Sequence, residues 1–149
     1  MNNDFYMERC IELAKQGMSL GEVPVGAVII SDNKVIGESY SSSIMLNDPT
    51  AHAEIIAIRN ASTAINNYRI VGSFLYTTLE PCIMCLGAIS EARIKKIIYG
   101  AKSDNNIELS EKILILKKYF KLDHVPEIIG GVKESECSTL LKEFFSRKR

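Results

Sequence analysis

A chain of 149 residues with 46% hydrophobic content can bury one core without disulfide support, so 1–149 reads as a single domain. Lys plus Arg and Asp plus Glu balance at 18 each, which excludes a whole-molecule field for gathering nucleic acid or anionic membrane; any nucleic-acid contact must be local. Four cysteines are too sparse for a secreted disulfide scaffold, and no apolar leader or run of roughly 20 apolar residues is present, so the expectation is a soluble cytoplasmic protein with no membrane partner.

From Asp4, read as an N-cap, apolar residues Phe5, Cys10, Ile11, Leu13 and Ala14 recur at helical spacing as far as Gly17, predicting an amphipathic opening helix. Segments 25–30 and 34–40 flank the turn-prone pair Asp32-Asn33 and predict a β-hairpin, whose first strand is apolar throughout and is expected at the centre of a sheet. A loop follows over 41–48. Asp48-Pro49-Thr50 then offers capping residues for a helix over 51–65. A strand over 74–78, a helix opened by Pro81 and running to about residue 92, and a strand over 96–100 form a strand–helix–strand unit, which predicts parallel pairing. A helix over 110–121, a short strand near Ile128-Ile129 and a last amphipathic helix over 134–145 complete the chain.

His52-Ala53-Glu54 stands at the predicted start of one helix and Pro81-Cys82-Ile83-Met84-Cys85 at the start of the next. Residues three apart share a helix face, so Cys82 and Cys85 can grip one ion, and the free N–H groups of a first turn favour thiolate over thiol. His52 would be a third, neutral ligand, leaving the fourth tetrahedral position to water, as in a catalytic zinc site. Two thiolates cancel the charge of Zn²⁺, so the bound water needs a base, and Glu54 is the candidate to move its protons. His-x-Glu followed by Pro-Cys-x-x-Cys is the known signature of zinc nucleobase deaminases.

On these residues the chain resembles the cytidine and deoxycytidylate deaminase superfamily, and more closely its bacterial tRNA adenosine deaminase branch. The resemblance also takes in Gly21-Glu22-Val23-Pro24-Val25-Gly26-Ala27-Val28, Asp48-Pro49-Thr50-Ala51, Leu75 to Glu80, and the ending from Gly130-Gly131-Val132 through Cys137 to Phe144-Phe145. It implies a three-layer α/β/α sandwich with a five-stranded mixed sheet, a homodimer, zinc as cofactor, and base contacts from Val25, Ala51 and Ser41. It also implies hydrolytic conversion of adenosine to inosine at the tRNA wobble position, with the base flipped out of the anticodon loop.

Two segments depart from that branch. Where the family places an asparagine against the base, this chain reads Tyr40-Ser41-Ser42-Ser43, and Ser103-Asp104-Asn105-Asn106-Ile107-Glu108 replaces a glycine-rich stretch expected near the RNA. Both departures favour the alternative, a deaminase of a free nucleobase or nucleoside such as guanine or cytosine. In favour of RNA stands the C-terminal segment 142–149, where Lys142, Arg147, Lys148 and Arg149 outnumber Glu143 beside Phe144 and Phe145. The opposite reading of that segment makes the phenylalanines core and the charges a solvated helix end.

Plainer readings of the other residues remain open at this point. Cys82 and Cys85 alone suit a redox pair, and Cys10, His124 or Cys137 as a fourth ligand would close the site into a structural one. A deaminase-like scaffold that pairs with an active subunit would have no need of Glu54. Cys10 and Cys137 read as core, His124 as surface, Glu80 as a partner for a helix N-terminus, and Asn47 as turn chemistry or a base contact.

Overall fold

The computed structural model describes residues 2–103 and 106–147. Asp104 and Asn105 of the altered segment, and Lys148 and Arg149 of the basic ending, lie outside the described residues. Among the described residues, five helices and five strands follow one another in the order α1 (Asn3–Ser19), β1 (Gly26–Ser31), β2 (Lys34–Tyr40), α2 (Ala53–Ile65), β3 (Phe74–Leu79), α3 (Ile83–Ala92), β4 (Lys96–Ala101), α4 (Leu109–Phe120), β5 (Glu127–Ile129) and α5 (Glu134–Arg147). No helix of the described residues is long and apolar enough to cross a membrane.

The strands form one mixed sheet in the order β2-β1-β3-β4-β5. The first hairpin turns at Asp32 and Asn33, both with positive φ (50° and 62°), the conformation that two-residue hairpins need and that these short polar side chains tolerate. Strand β1 pairs antiparallel with β2 and β3, whereas β3–β4 and β4–β5 are parallel, as the crossovers through α3 and α4 require. The apolar β1 is an interior strand, but the middle position belongs to β3, because the chain after β2 and α2 returns to the free side of β1.

Both faces of the sheet are covered, which explains the unbroken apolar runs of its strands. Ala27 and Ile29 of β1, Leu75 of β3 and Ile97 and Tyr99 of β4 pack against α2, α3 and α4. The alternate residues Val28, Ile30, Tyr76 and Ile98 pack against α1 and α5, together with Cys10 and Cys137, which are core residues as expected. Helix α2 approaches through Ala53, Ala57 and Ala61, one fully buried methyl every four residues, laid over the bare backbone of Gly37.

Helix starts differ from the sequence reading in three places. Asn2, not Asp4, caps α1, its side chain accepting the Phe5 N–H at 3.2 Å. Asp48 does not cap α2; it accepts the Thr50 N–H and hydroxyl at 2.9 and 2.7 Å and closes its own turn, so that the N-cap position falls to His52. Pro81 likewise stands just before α3, whose N-cap is Cys82.

Candidate active site

The first turns of α2 and α3 meet at one end of the sheet. His52 and Cys82 leave the extended backbone at the two N-cap positions, and Cys85 follows in the first turn of α3, so that three side chains far apart in sequence arrive at one point. His52 Nδ1 lies 3.5 Å from the Cys82 sulfur and 3.6 Å from that of Cys85, and all three donor atoms fall within 4.8 Å of one another. Zinc bonds of about 2.3 Å to sulfur and about 2.0–2.1 Å to nitrogen, set at a tetrahedral angle, require an S···N edge of about 3.5–3.6 Å. The donors therefore fit Zn²⁺, and among the described residues no fourth Cys, His, Asp or Glu joins them. Cys10 and Cys137 are buried on the far face of the sheet, and His124 is tied to the other end of α3 by 2.6 Å from its Nε2 to the Ile94 carbonyl.

The thiols are arranged unequally. Cys82 is exposed and drops to about 5, chiefly because the Cys85 thiol hydrogen-bonds to it, with the Cys85 and Met84 amides and His52 adding to the effect against partial burial. Cys85 is fully buried, and its hydrogen bond to Cys82 together with that burial raises it well above the usual thiol range. The two thiols are thus driven in opposite directions, Cys82 toward thiolate and Cys85 toward thiol. Glu54, in the first turn of α2, is pushed up to about 7, first by burial and then by the Cys82 charge, against its own backbone amide, His52 and Cys85. A buried carboxyl near neutrality can both take and return a proton.

Glu54, His52 and Cys82 open onto a cavity of about 280 Å³, also lined by Glu22, Val23, Val25, Ser41, Ser43, Ile44 and Glu80. That volume is at the low end for small-molecule pockets, about 300 Å³, and suits a single base. Two of the three residues expected to contact the base, Val25 and Ser41, line it. Ala51 does not; it is fully buried, and its backbone is used in holding the loop, accepting Ser42 N–H and donating to Asp48. Asn47 is exposed in a left-handed turn (φ 49°) and is not part of the lining.

Two acids of this lining were missed or misread. Glu22 is buried, with its oxygens on the Ile44 and Met45 amides, a contact no local spacing could announce. Glu80 does not serve the N-terminus of α3: it reaches the Ser103 amide and hydroxyl (2.9 and 2.7 Å) and Lys112 of α4 (3.4 Å), joining the segment after β4 to the metal-binding helix. The C-terminal phenylalanines divide between the two readings, Phe144 being core and Phe145 exposed beside it.

Residues 1–101 match the model of the cytidine and deoxycytidylate deaminase zinc-binding region. The chain belongs to this deaminase family. Among its relatives, the tRNA-specific adenosine deaminase of Haemophilus influenzae is 45% identical over 96% of this chain and 83% of its own length. A solved structure from studies of A-to-I editing by tRNA:A34 deaminases superposes with a TM-score of 0.84 at 40% identity, covering 92% of this deaminase and 99% of that chain. A guanine deaminase from Bacillus subtilis superposes less closely, with a TM-score of 0.66 at 30% identity over 87% of this chain and 100% of that one.

Proposed function

We propose that this deaminase hydrolyses adenosine to inosine and ammonia at the wobble position of tRNA, with His52, Cys82 and Cys85 holding the zinc and Glu54 moving the protons. The observation that carries the chemistry is the pair of 3.5 and 3.6 Å nitrogen–sulfur edges beside a buried carboxyl on the same cavity. Zinc bound there supplies Lewis-acid activation of a water molecule. Glu54 takes one proton from the attacking water and passes it to the purine ring nitrogen next to the reacting carbon, then takes the second from the new hydroxyl on that carbon and passes it to the amine, which leaves as ammonia while the carbonyl of inosine forms. Val25 and Ser41 hold the flipped base against this acid; Ala51 supports the loop behind them.

The relatives support tRNA over a free base through sequence, the identity being 45% and 40% to tRNA deaminases and 30% to the Bacillus subtilis guanine deaminase, whereas superposition alone does not separate the two classes, since the guanine deaminase from Nitrosomonas europaea reaches a TM-score of 0.80. The two-sided sheet supports one domain across the chain, and a tRNA substrate supports a cytoplasmic site of action. Homodimerisation has support from a largely apolar groove of about 480 Å³ between α3 and α4, with Ile83, Ile115 and Phe120 on its walls. Offering the zinc-loaded protein an anticodon stem-loop and, separately, free adenine, guanine, cytosine and their nucleosides tests the assignment. Inosine formed in the RNA with ammonia release is expected; turnover of a free base with inert RNA would replace tRNA by the small substrate.

A further inference from the structure

Glu22 is a buried charge to which the deamination chemistry gives no task. It is 1% exposed, it lines the cavity, and no Lys, Arg or His pairs with it among the described residues. Its two oxygens accept separate backbone amides instead, Ile44 at 3.1 Å and Met45 at 2.7 Å. A buried carboxylate is costly unless its lone pairs are met, and amides that meet them are held in charge-assisted hydrogen bonds, stronger than those between neutral groups. The acid has a firm base of its own: Glu22 N–H donates to the Gly17 carbonyl at the end of α1 (3.0 Å), just after the turn that Gly21 makes at φ 90°. The loop it grips supplies Ser41, Ser43 and Ile44 to the cavity wall opposite the metal ligands. The root of that loop is fixed by the Ser41 N–H on the Val25 carbonyl and the Ser42 N–H on that of Ala51. Its tip, where Ile44, Met45 and Leu46 are all exposed, is fixed to the fold through Glu22.

We propose that Glu22 is a positioning residue for deamination, clamping the Ile44 and Met45 amides so that the loop wall stands at the correct distance from Glu54 to hold a base. This rests on the deaminase reading of the site. It also sets Glu22 apart from Glu54: the first shapes the cavity and touches no reacting atom, whereas the second moves protons.

The test uses the zinc-loaded full chain and its Glu22→Gln and Glu22→Ala variants, with an anticodon stem-loop as substrate. Zinc content, kcat, KM and backbone amide exchange are measured together. In the unmodified protein the Ile44 and Met45 amides should exchange roughly a hundredfold more slowly than in an open loop. In Glu22→Ala they should exchange at least about tenfold faster, with the amides of β1 and β3 unchanged, zinc retained, and KM raised at least about tenfold while kcat falls much less. Gln keeps the volume and one acceptor, so it should recover part of the KM. Open-loop exchange at Ile44 and Met45 in the unmodified protein would overturn the clamp without any variant. Unchanged KM in both variants, or zinc, kcat and sheet protection falling in step with KM, would overturn it as well. Inactivity of the unmodified protein on the stem-loop would count against the tRNA reading instead, and the exchange measurement would then decide Glu22.

Discussion

On one side of the cavity, His52, Glu54 and Cys82 ride on the first turns of α2 and α3, whose places are set by apolar packing against the sheet. On the other side, Ser41, Ser43 and Ile44 belong to a loop whose place is set by hydrogen bonds to Glu22, Val25 and Ala51. Packing is cooperative and hard to shift, while a few hydrogen bonds can be changed one at a time. The helical wall therefore suits groups that must meet a metal within tenths of an ångström, and the loop wall suits the adjustable task of recognising a base.

If that division holds, damage to the two walls must differ in kind. The largest effect falls on Glu54→Gln, for which kcat should drop on the order of 10²–10⁴-fold, the usual contribution of a general acid–base, with zinc still bound; a variant that keeps its turnover removes Glu54 from the chemistry. Cys85→Ser should weaken zinc binding at least about a hundredfold, the upper cost of losing a mere outer partner, as read by competition with a chelator. A companion measurement is made on the metal-free protein at pH 8, where Glu54 is ionised and Cys82 is already a thiolate. Zinc uptake should release about one proton, that of Cys85, and about two would mean that the sulfurs are not driven apart as described.

Glu80 joins the two structural styles, and its effect is smaller and depends on pH. Burial is the largest influence on its carboxyl and acts upward, but the Ser103 amide and hydroxyl and Lys112 together hold it below the ordinary carboxylate range. Its folded-state value being depressed, its stabilising contribution is complete above the unfolded value of about 4.3 and is lost as pH falls through the folded one. The stability gap between the unmodified protein and Glu80→Gln in urea should thus be wide at pH 7 and narrow at pH 3. A gap that stays constant would show the contacts to be indifferent to charge. The smallest effect belongs to the loop wall: Ser41→Ala should raise KM by roughly 2–10-fold, the worth of one neutral hydrogen bond, leaving kcat and zinc untouched.

The same division governs what could be read in advance. His52, Glu54, Cys82 and Cys85 were legible because two short local patterns each mark a helix start, and helix geometry carries the side chains the rest of the way. The hairpin was legible through Asp32-Asn33 and the parallel pairing through the spacing of its crossover. Glu22 was not, since its partners are backbone amides 22 and 23 positions away in a loop without periodicity. Nor was the full burial of Ala51, whose backbone bonds hold the loop through Ser42 and Asp48. That Asn2 caps α1, and that Asp48 closes its own turn instead of capping α2, turned on which neighbouring polar side chain wins a nearby amide, a contest between residues of similar propensity.

Gly37 lies on β2, the edge strand farthest from the metal-binding helix α3, yet it bears on coordination. A methyl group there would stand 2.5 Å from the Ala57 carbonyl and 2.6 Å from the Ala61 nitrogen, so α2 would have to lift or slide. His52 is the head of that same rod, five residues before Ala57, and a zinc bond tolerates an error of only about 0.2 Å. Zinc affinity thus serves as a gauge of how closely a helix lies on a distant strand, and a substitution that never nears the ion can still loosen its hold.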